Sequence, residues 1–154
     1  FGFDISKESL EIARQNNKEV KIIETNEELA CYNRYFDVIF IAGVYHHIEP
    51  DLRDYVTSNI FKLAADNCNV AVFEHNPYNP LTRRMVSTCE FDKDAVLLSK
   101  KELQSIFFKA GFKDNGSAYT LFFPPILKSL SFLEKFLKWL PLGGQYYISV
   151  KKSV

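Results

Sequence analysis

The sequence predicts an α/β fold built on a mainly parallel sheet. Short apolar runs alternate with helical patterns at the spacing of βαβ units. One of those runs, Phe36-Asp37-Val38-Ile39-Phe40-Ile41-Ala42, is apolar almost throughout, as a strand buried on both faces of a parallel sheet is. The chain has 154 residues, 47% of them hydrophobic, which is the size and composition of one domain with a core.

The elements follow in order. Phe1 to Ile5 reads as a short buried strand ending in an acid, Asp4. Ser6 is an N-cap candidate, and Leu10, Ile12 and Ala13 give the helix after it an apolar face up to Asn16-Asn17. Val20 to Ile23 is the second strand and Phe36 to Ala42 the third. Pro50-Asp51 opens a helix carrying Leu52, Tyr55, Val56, Ile60 and Phe61. Val70 to Phe73 is the next strand, and a polar, proline-marked loop is expected from Glu74 to about Leu98. Ser99 with Glu102 is a capping box, and Gly111 is placed to end the helix it starts. Phe112 to about Phe123 is a strand region with an irregularity at Asn115-Gly116. Leu127 to Leu140 reads as an aromatic amphipathic helix, and Tyr146 to Val150 as a closing strand. Right-handed crossovers put helices on both faces of such a sheet.

Composition narrows the function. Nineteen Lys and Arg balance nineteen Asp and Glu, so no net field draws the chain to a nucleic-acid backbone or an anionic membrane. The three cysteines, Cys31, Cys68 and Cys89, have no CxxC spacing and fit a reducing, cytoplasmic setting better than a disulfide framework. No apolar run approaches the ~20 residues of a membrane helix. The segment 121–140, with Phe132, Phe136, Trp139 and several leucines opposite Lys128, Lys135 and Lys138, reads either as a core-packing helix or lid, or as an interfacial helix making peripheral membrane contact.

Ligands of open α/β sheets bind beyond the carboxyl ends of the strands. That rule selects Asp4, Thr25-Asn26, Gly43 to His47, and Glu74 to Asn76. An acid such as Asp4, ending a strand before a helix, can hold ribose hydroxyls or simply cap the helix. His46 and His47 follow Gly43 at the end of a buried strand, where imidazoles are placed for proton transfer near neutral pH. For a metal, only His75 remains as a further imidazole, and no HxxxH or HxxE spacing occurs, so no metal site is expected.

These residues resemble the class I S-adenosylmethionine-dependent methyltransferases. The likeness lies in Gly2-Phe3-Asp4-Ile5-Ser6, in Phe36-Asp37-Val38-Ile39 followed by Val44-Tyr45-His46-His47-Ile48, and in Ala110-Gly111-Phe112. A narrower likeness, to bacterial methyltransferases of the type 11/12 kind found with cell-surface glycan genes, rests on Glu74 to Arg83, Cys89 to Ala95 and Pro141 to Tyr146. The resemblance implies a Rossmann-like three-layer sandwich with an antiparallel C-terminal strand. It also implies S-adenosylmethionine as cofactor, met by Asp4, Ile5, Thr25, Asn26, Ala42 and Gly43. His47, with His46 second, becomes the candidate base or acceptor-positioning residue, and Tyr45, Glu74 and His75 become substrate contacts. The acceptor implied is a small molecule, a sugar or a lipid-linked glycan.

One departure is large. The family's first strand and glycine-rich loop have no counterpart here, since no Gly-x-Gly occurs in the chain. Residues 1–154 are therefore expected to be the larger carboxyl-terminal part of one methyltransferase domain, with two strand edges left open where the first strand belongs. The alternative is a methyltransferase-like module that binds or scaffolds without the cofactor.

Overall fold

In the computed structural model, which describes residues 1–153, local capping sets the helix starts. Ser6 accepts a hydrogen bond from Ser9 N and opens α1 (Lys7–Asn16). Ser99 and Glu102 form the reciprocal box that opens α5 (Lys100–Lys109). Both satisfy amide hydrogens that a first helical turn leaves without partners. Gly111 follows α5 with φ +106°, a left-handed conformation that a side chain disfavours. At Pro50 a 3-10 turn over Pro50–Leu52 comes first, and α3 (Arg53–Leu63) continues from it.

Strand β1 (Gly2–Phe3) pairs in parallel with β2 (Ile22–Ile23), which is shorter than the Val20 to Ile23 expected. Strand β3 (Phe36–Ala42) pairs in parallel with β4 (Ala64–His75). The closing strand β6 (Gln145–Lys151) runs antiparallel between β4 and β5 (Lys113–Thr120), giving the order β3-β4-β6-β5. The register of β5 slips between Asp114 and Gly116, at the predicted irregularity, and Gly116 there has φ +124°. Tyr146, Ile148 and Val150 of β6 alternate inward onto Leu103 and Phe107 of α5, and this contact centres the core.

The two sheets do not join. A cleft of about 1110 Å³ separates β1 from β3, lined by Phe3, Ile23, Val38, Phe40 and Ile60 among others. The run Phe36 to Ala42, expected to be buried on both faces, is covered on one only. Ile39 and Ile41 pack on the core, while Val38 and Phe40 are 69% and 67% exposed. Nothing among the described residues packs over that outer face. The gap falls where the resemblance leaves out the first strand.

Two further expectations are corrected. The loop after Glu74 contains a helix, α4 (Pro80–Thr88), in which Asn79 Oδ1 caps Leu81 N and Thr82 N and Pro80 takes the first helical position. The segment 127–140 is not one helix. It is a run of 3-10 turns over Pro125–Leu133 and a short α6 (Glu134–Leu137). Pro124 and Pro125 remove two amide donors, Leu127 is non-helical, and Glu134 turns back to accept from Phe122 N and Phe123 N. A short helix α2 (Asn26–Ala30), capped by Thr25, was not expected.

Candidate active site at the carboxyl edge of the sheet

Gly43 carries the chain out of β3. Its φ of +65° is left-handed, and its amide donates to Phe73 O of the neighbouring strand at 3.0 Å. A β-carbon there would meet His46 Cε1 at 3.6 Å, an ordinary contact, so the conformation rather than space asks for glycine. The chain then folds into a 3-10 turn over Tyr45–His47.

Glu74, at the end of β4, holds this turn in place. Its Oε1 accepts from Val44 N at 3.0 Å and Tyr45 N at 2.7 Å, and its Oε2 lies 2.6 Å from His46 Nδ1. The residue is 1% exposed, and a buried carboxylate persists only with such partners. His46 O accepts from Val96 N at 2.8 Å, while Arg53 donates to Ile48 O at 3.1 Å and Val96 O at 2.6 Å. These bonds lash the segment before α5 to the histidine turn. They bring Asp92 Oδ1 to 3.6 Å from His46 Nε2 and 3.4 Å from His47 Nε2. The third imidazole, His75, has its ring 5.0 Å from that of His46, and its Nδ1 is buried without a hydrogen-bond partner.

Burial alone lowers the pKa of His46, but the hydrogen bond and charge of Glu74, with help from Asp92, outweigh it and hold His46 above the usual histidine value. His75 goes the other way. Burial, then repulsion from His46, pushes it below that value. The turn thus places a histidine that favours its proton beside one that resists it.

The structure places the other expected residues as follows. The Tyr45 side chain packs in the core against Phe107, with its hydroxyl 2.7 Å from Thr57 Oγ1, and the residue also borders the cleft. Glu74 has both oxygens engaged by the turn. Ile5 is 88% exposed and lines no part of the cleft. Thr25 uses its hydroxyl to cap α2 by accepting from Glu28 N. Asp4, Asn26 and Ala42 do line one cleft, and Gly43 adjoins it. Asp92 and Arg53 were not singled out from the sequence. Asp92 has no local signal because its contacts to His46 and His47 span more than forty positions, and Arg53 reaches Val96 and Glu102 across similar distances beside its local bond to Ile48 O.

A family model described as "Methyltransferase domain" matches residues 1–64. Residues 1–64 are similar to a methyltransferase domain. Solved structures agree on the fold. A SAM-dependent methyltransferase from Archaeoglobus fulgidus superposes with a TM-score of 0.74 at 15% identity, covering 98% of this chain and 75% of that one. Another from Thermotoga maritima, described as a possible histamine N-methyltransferase, gives 0.76 at 18%, covering 99% and 73%. One from Mesorhizobium loti gives 0.64 at 15%, covering 97% and 78%. At these identities the likeness is one of fold. A search of curated proteins finds no match.

The solved structures named above are SAM-dependent methyltransferases, so S-adenosylmethionine is the ligand to compare with this cleft. The residues present fit its nucleoside half. Asp4 stands exposed at the end of β1, spending Oδ1 on Ser6 N at 2.8 Å and leaving Oδ2 for hydroxyl donors. Asn26 and the backbone at Ala42 complete a mouth with donors and acceptors on two sides.

Proposed function

We propose that this methyltransferase moves the methyl group of S-adenosylmethionine to an acceptor bound over the histidine turn. The observation that carries the reading is that the Asp4, Asn26 and Ala42 cleft adjoins Gly43 and, beyond it, the His46–His47 turn. The cofactor supplies the electrophilic methyl group; the chain's own residues bind, orient and deprotonate. Asp4 takes ribose hydroxyls, and Asn26 with the Ala42 and Gly43 backbone takes the remaining polar groups. His46 is fixed by Glu74 and buried. His47 is half-exposed and is the imidazole an acceptor can reach. Its Nε2 takes the acceptor proton, and Asp92 stabilises the imidazolium that forms. The unpartnered Nδ1 of His75 suits a donor group on the acceptor.

The acceptor class is a small molecule, a sugar or a lipid-linked glycan. Support for the last comes from the 121–140 surface, where Ile126, Phe132, Phe136 and Trp139 are exposed beside Lys128, Lys135 and Lys138. Apolar tips flanked by lysines suit peripheral contact with a lipid surface in a cytoplasmic, bacterial setting. No helix among the described residues is long and apolar enough to cross a membrane.

His47→Asn tests the base. Turnover should fall by ~10²–10⁴-fold with cofactor affinity nearly unchanged, and His46→Asn should cost less. Unchanged turnover in His47→Asn would sink the assignment. The exposed outer face of β3, with Val38 and Phe40, favours a second reading, a module that binds a partner without the cofactor. Saturable cofactor binding by the protein would refute it.

A further inference from the structure

We propose that His46, His47 and Asp92 form a binding site for a divalent cation of the zinc class. Their three ligand atoms, two Nε2 and one Oδ1, all lie within 4.8 Å of one another. The nitrogen-to-oxygen separations are 3.6 and 3.4 Å. These are longer than the ~2.7–3.2 Å of an N–H···O hydrogen bond. The 3.4 Å separation matches, and the 3.6 Å one approaches, a different geometry. Ligand bonds of ~2.0–2.1 Å around a tetrahedral ion set neighbouring ligand atoms roughly 3.3–3.4 Å apart.

The far side of the buried ring is already arranged for a metal. Glu74 Oε2 sits 2.6 Å from His46 Nδ1. In the neutral ring a carboxylate there keeps the proton on Nδ1 and leaves the Nε2 lone pair facing Asp92, the usual arrangement behind a metal-bound histidine. Asp92 offers only lone pairs in return, so an ion between the neutral ring and Asp92 bonds to both. The turn is rigid, tied by Glu74 to Val44 N and Tyr45 N and by Val96 N to His46 O. The His46 side chain is 2% exposed and that of Asp92 13%, whereas His47 is 40% exposed and leaves an open side for a fourth ligand. Two imidazoles and one carboxylate suit borderline ions such as zinc rather than the all-oxygen shells of calcium or magnesium. Spacing along the chain predicts no metal, because Asp92 arrives only through the fold.

The effect on turnover rests on the histidine reading above; the binding does not. A cation on both Nε2 atoms leaves His47 no lone pair for a proton, so zinc inhibits methyl transfer. Calorimetric titration of the metal-free protein with Zn²⁺ should give one ion per chain. Co²⁺ should give the intense visible absorption of a tetrahedral site. Asp92→Asn and His47→Asn should each weaken binding at least tenfold, and Glu74→Gln ~10–100-fold. Circular dichroism identifies a variant that fails to fold, and the Co²⁺ spectrum of the unsubstituted protein needs no variant. Non-saturable binding, binding indifferent to Asp92→Asn and His47→Asn, or binding lost instead in Cys31→Ser or Cys89→Ser would overturn the site. Stoichiometric binding with turnover unchanged by Zn²⁺ would leave the site standing and refute His47 as the base.

Discussion

Replacing Glu74 with glutamine separates the two jobs its carboxylate does. In the native turn it serves three donors: Val44 N, Tyr45 N and His46 Nδ1. Glutamine has one carbonyl oxygen, which can keep both backbone donors, and an amide that can only donate toward His46. His46 Nδ1 must then accept, and its proton moves to Nε2, facing Asp92. One charge-assisted hydrogen bond is lost, worth ~1.5–3 kcal/mol, and the removal of a buried charge offsets part of that. The change carries a pH signature. The pKa of His46 is raised in the folded protein, so its contribution to stability is fully present below the unfolded value of ~6.5 and is lost as pH rises through the folded one. Glu74→Gln should therefore destabilise most on the acid side of neutrality, with the gap narrowing as pH rises. Every tenfold loss in the proton affinity of His46 should widen the acid-side gap by ~1.4 kcal/mol. Urea unfolding across this range, with chelator present, measures the gap, and NMR titration of the imidazoles shows its source. Identical His46 titration in both proteins would refute the coupling and with it the account of the turn.

Two more expectations concern the cofactor side and the frame. Asp4→Ala should weaken S-adenosylmethionine binding by ~1–3 kcal/mol in calorimetry, the scale for hydrogen bonds to a charged group; unaltered affinity would remove Asp4 from the site. Gly143→Ala would drive a β-carbon to 2.4 Å from Thr120 O and 2.9 Å from Thr120 N, both backbone atoms that cannot step aside. It should cost ~1–3 kcal/mol or more, and an unshifted thermal midpoint would contradict the packing of that loop on β5.

Elements with local signals were legible in the sequence. Ser6, the Ser99–Glu102 box and the Asn115-Gly116 irregularity each act within a few residues, and each appears where expected. The 121–140 segment was misread because its apolar spacing suits a helix while Pro124 and Pro125 spoil the start. Within the site, the histidine pair was legible because both rings come from one turn. Asp92 was not, since α4 and the Arg53 contacts deliver it. The position of Glu74 did have a usable signal. Val70, Val72 and Glu74 alternate on the buried face of β4, and that period of two marks the carboxylate as inward-facing.

The divided sheet makes occupancy of the crevice a thermodynamic matter for the chain itself. Asp4 and Asn26 belong to the unit of β1, α1, β2 and α2, whereas Ala42 and the histidines belong to the larger sheet, and no strand pairing links the two. The edge-to-face cluster of Phe1, Tyr32, Tyr35 and Phe36 bridges them. Elements held by two-residue strands are the kind that open locally before a whole domain unfolds. Apparent affinity falls in proportion to the fraction of molecules in which both halves are in register, tenfold for each ~1.4 kcal/mol of opening. A nucleoside spanning Asp4 and Ala42 does the reverse, drawing the population toward the closed form by mass action. On the proposed function, a nucleoside held by both Asp4 and Ala42 would repay part of that opening, and discrimination among nucleosides would follow how well each does so.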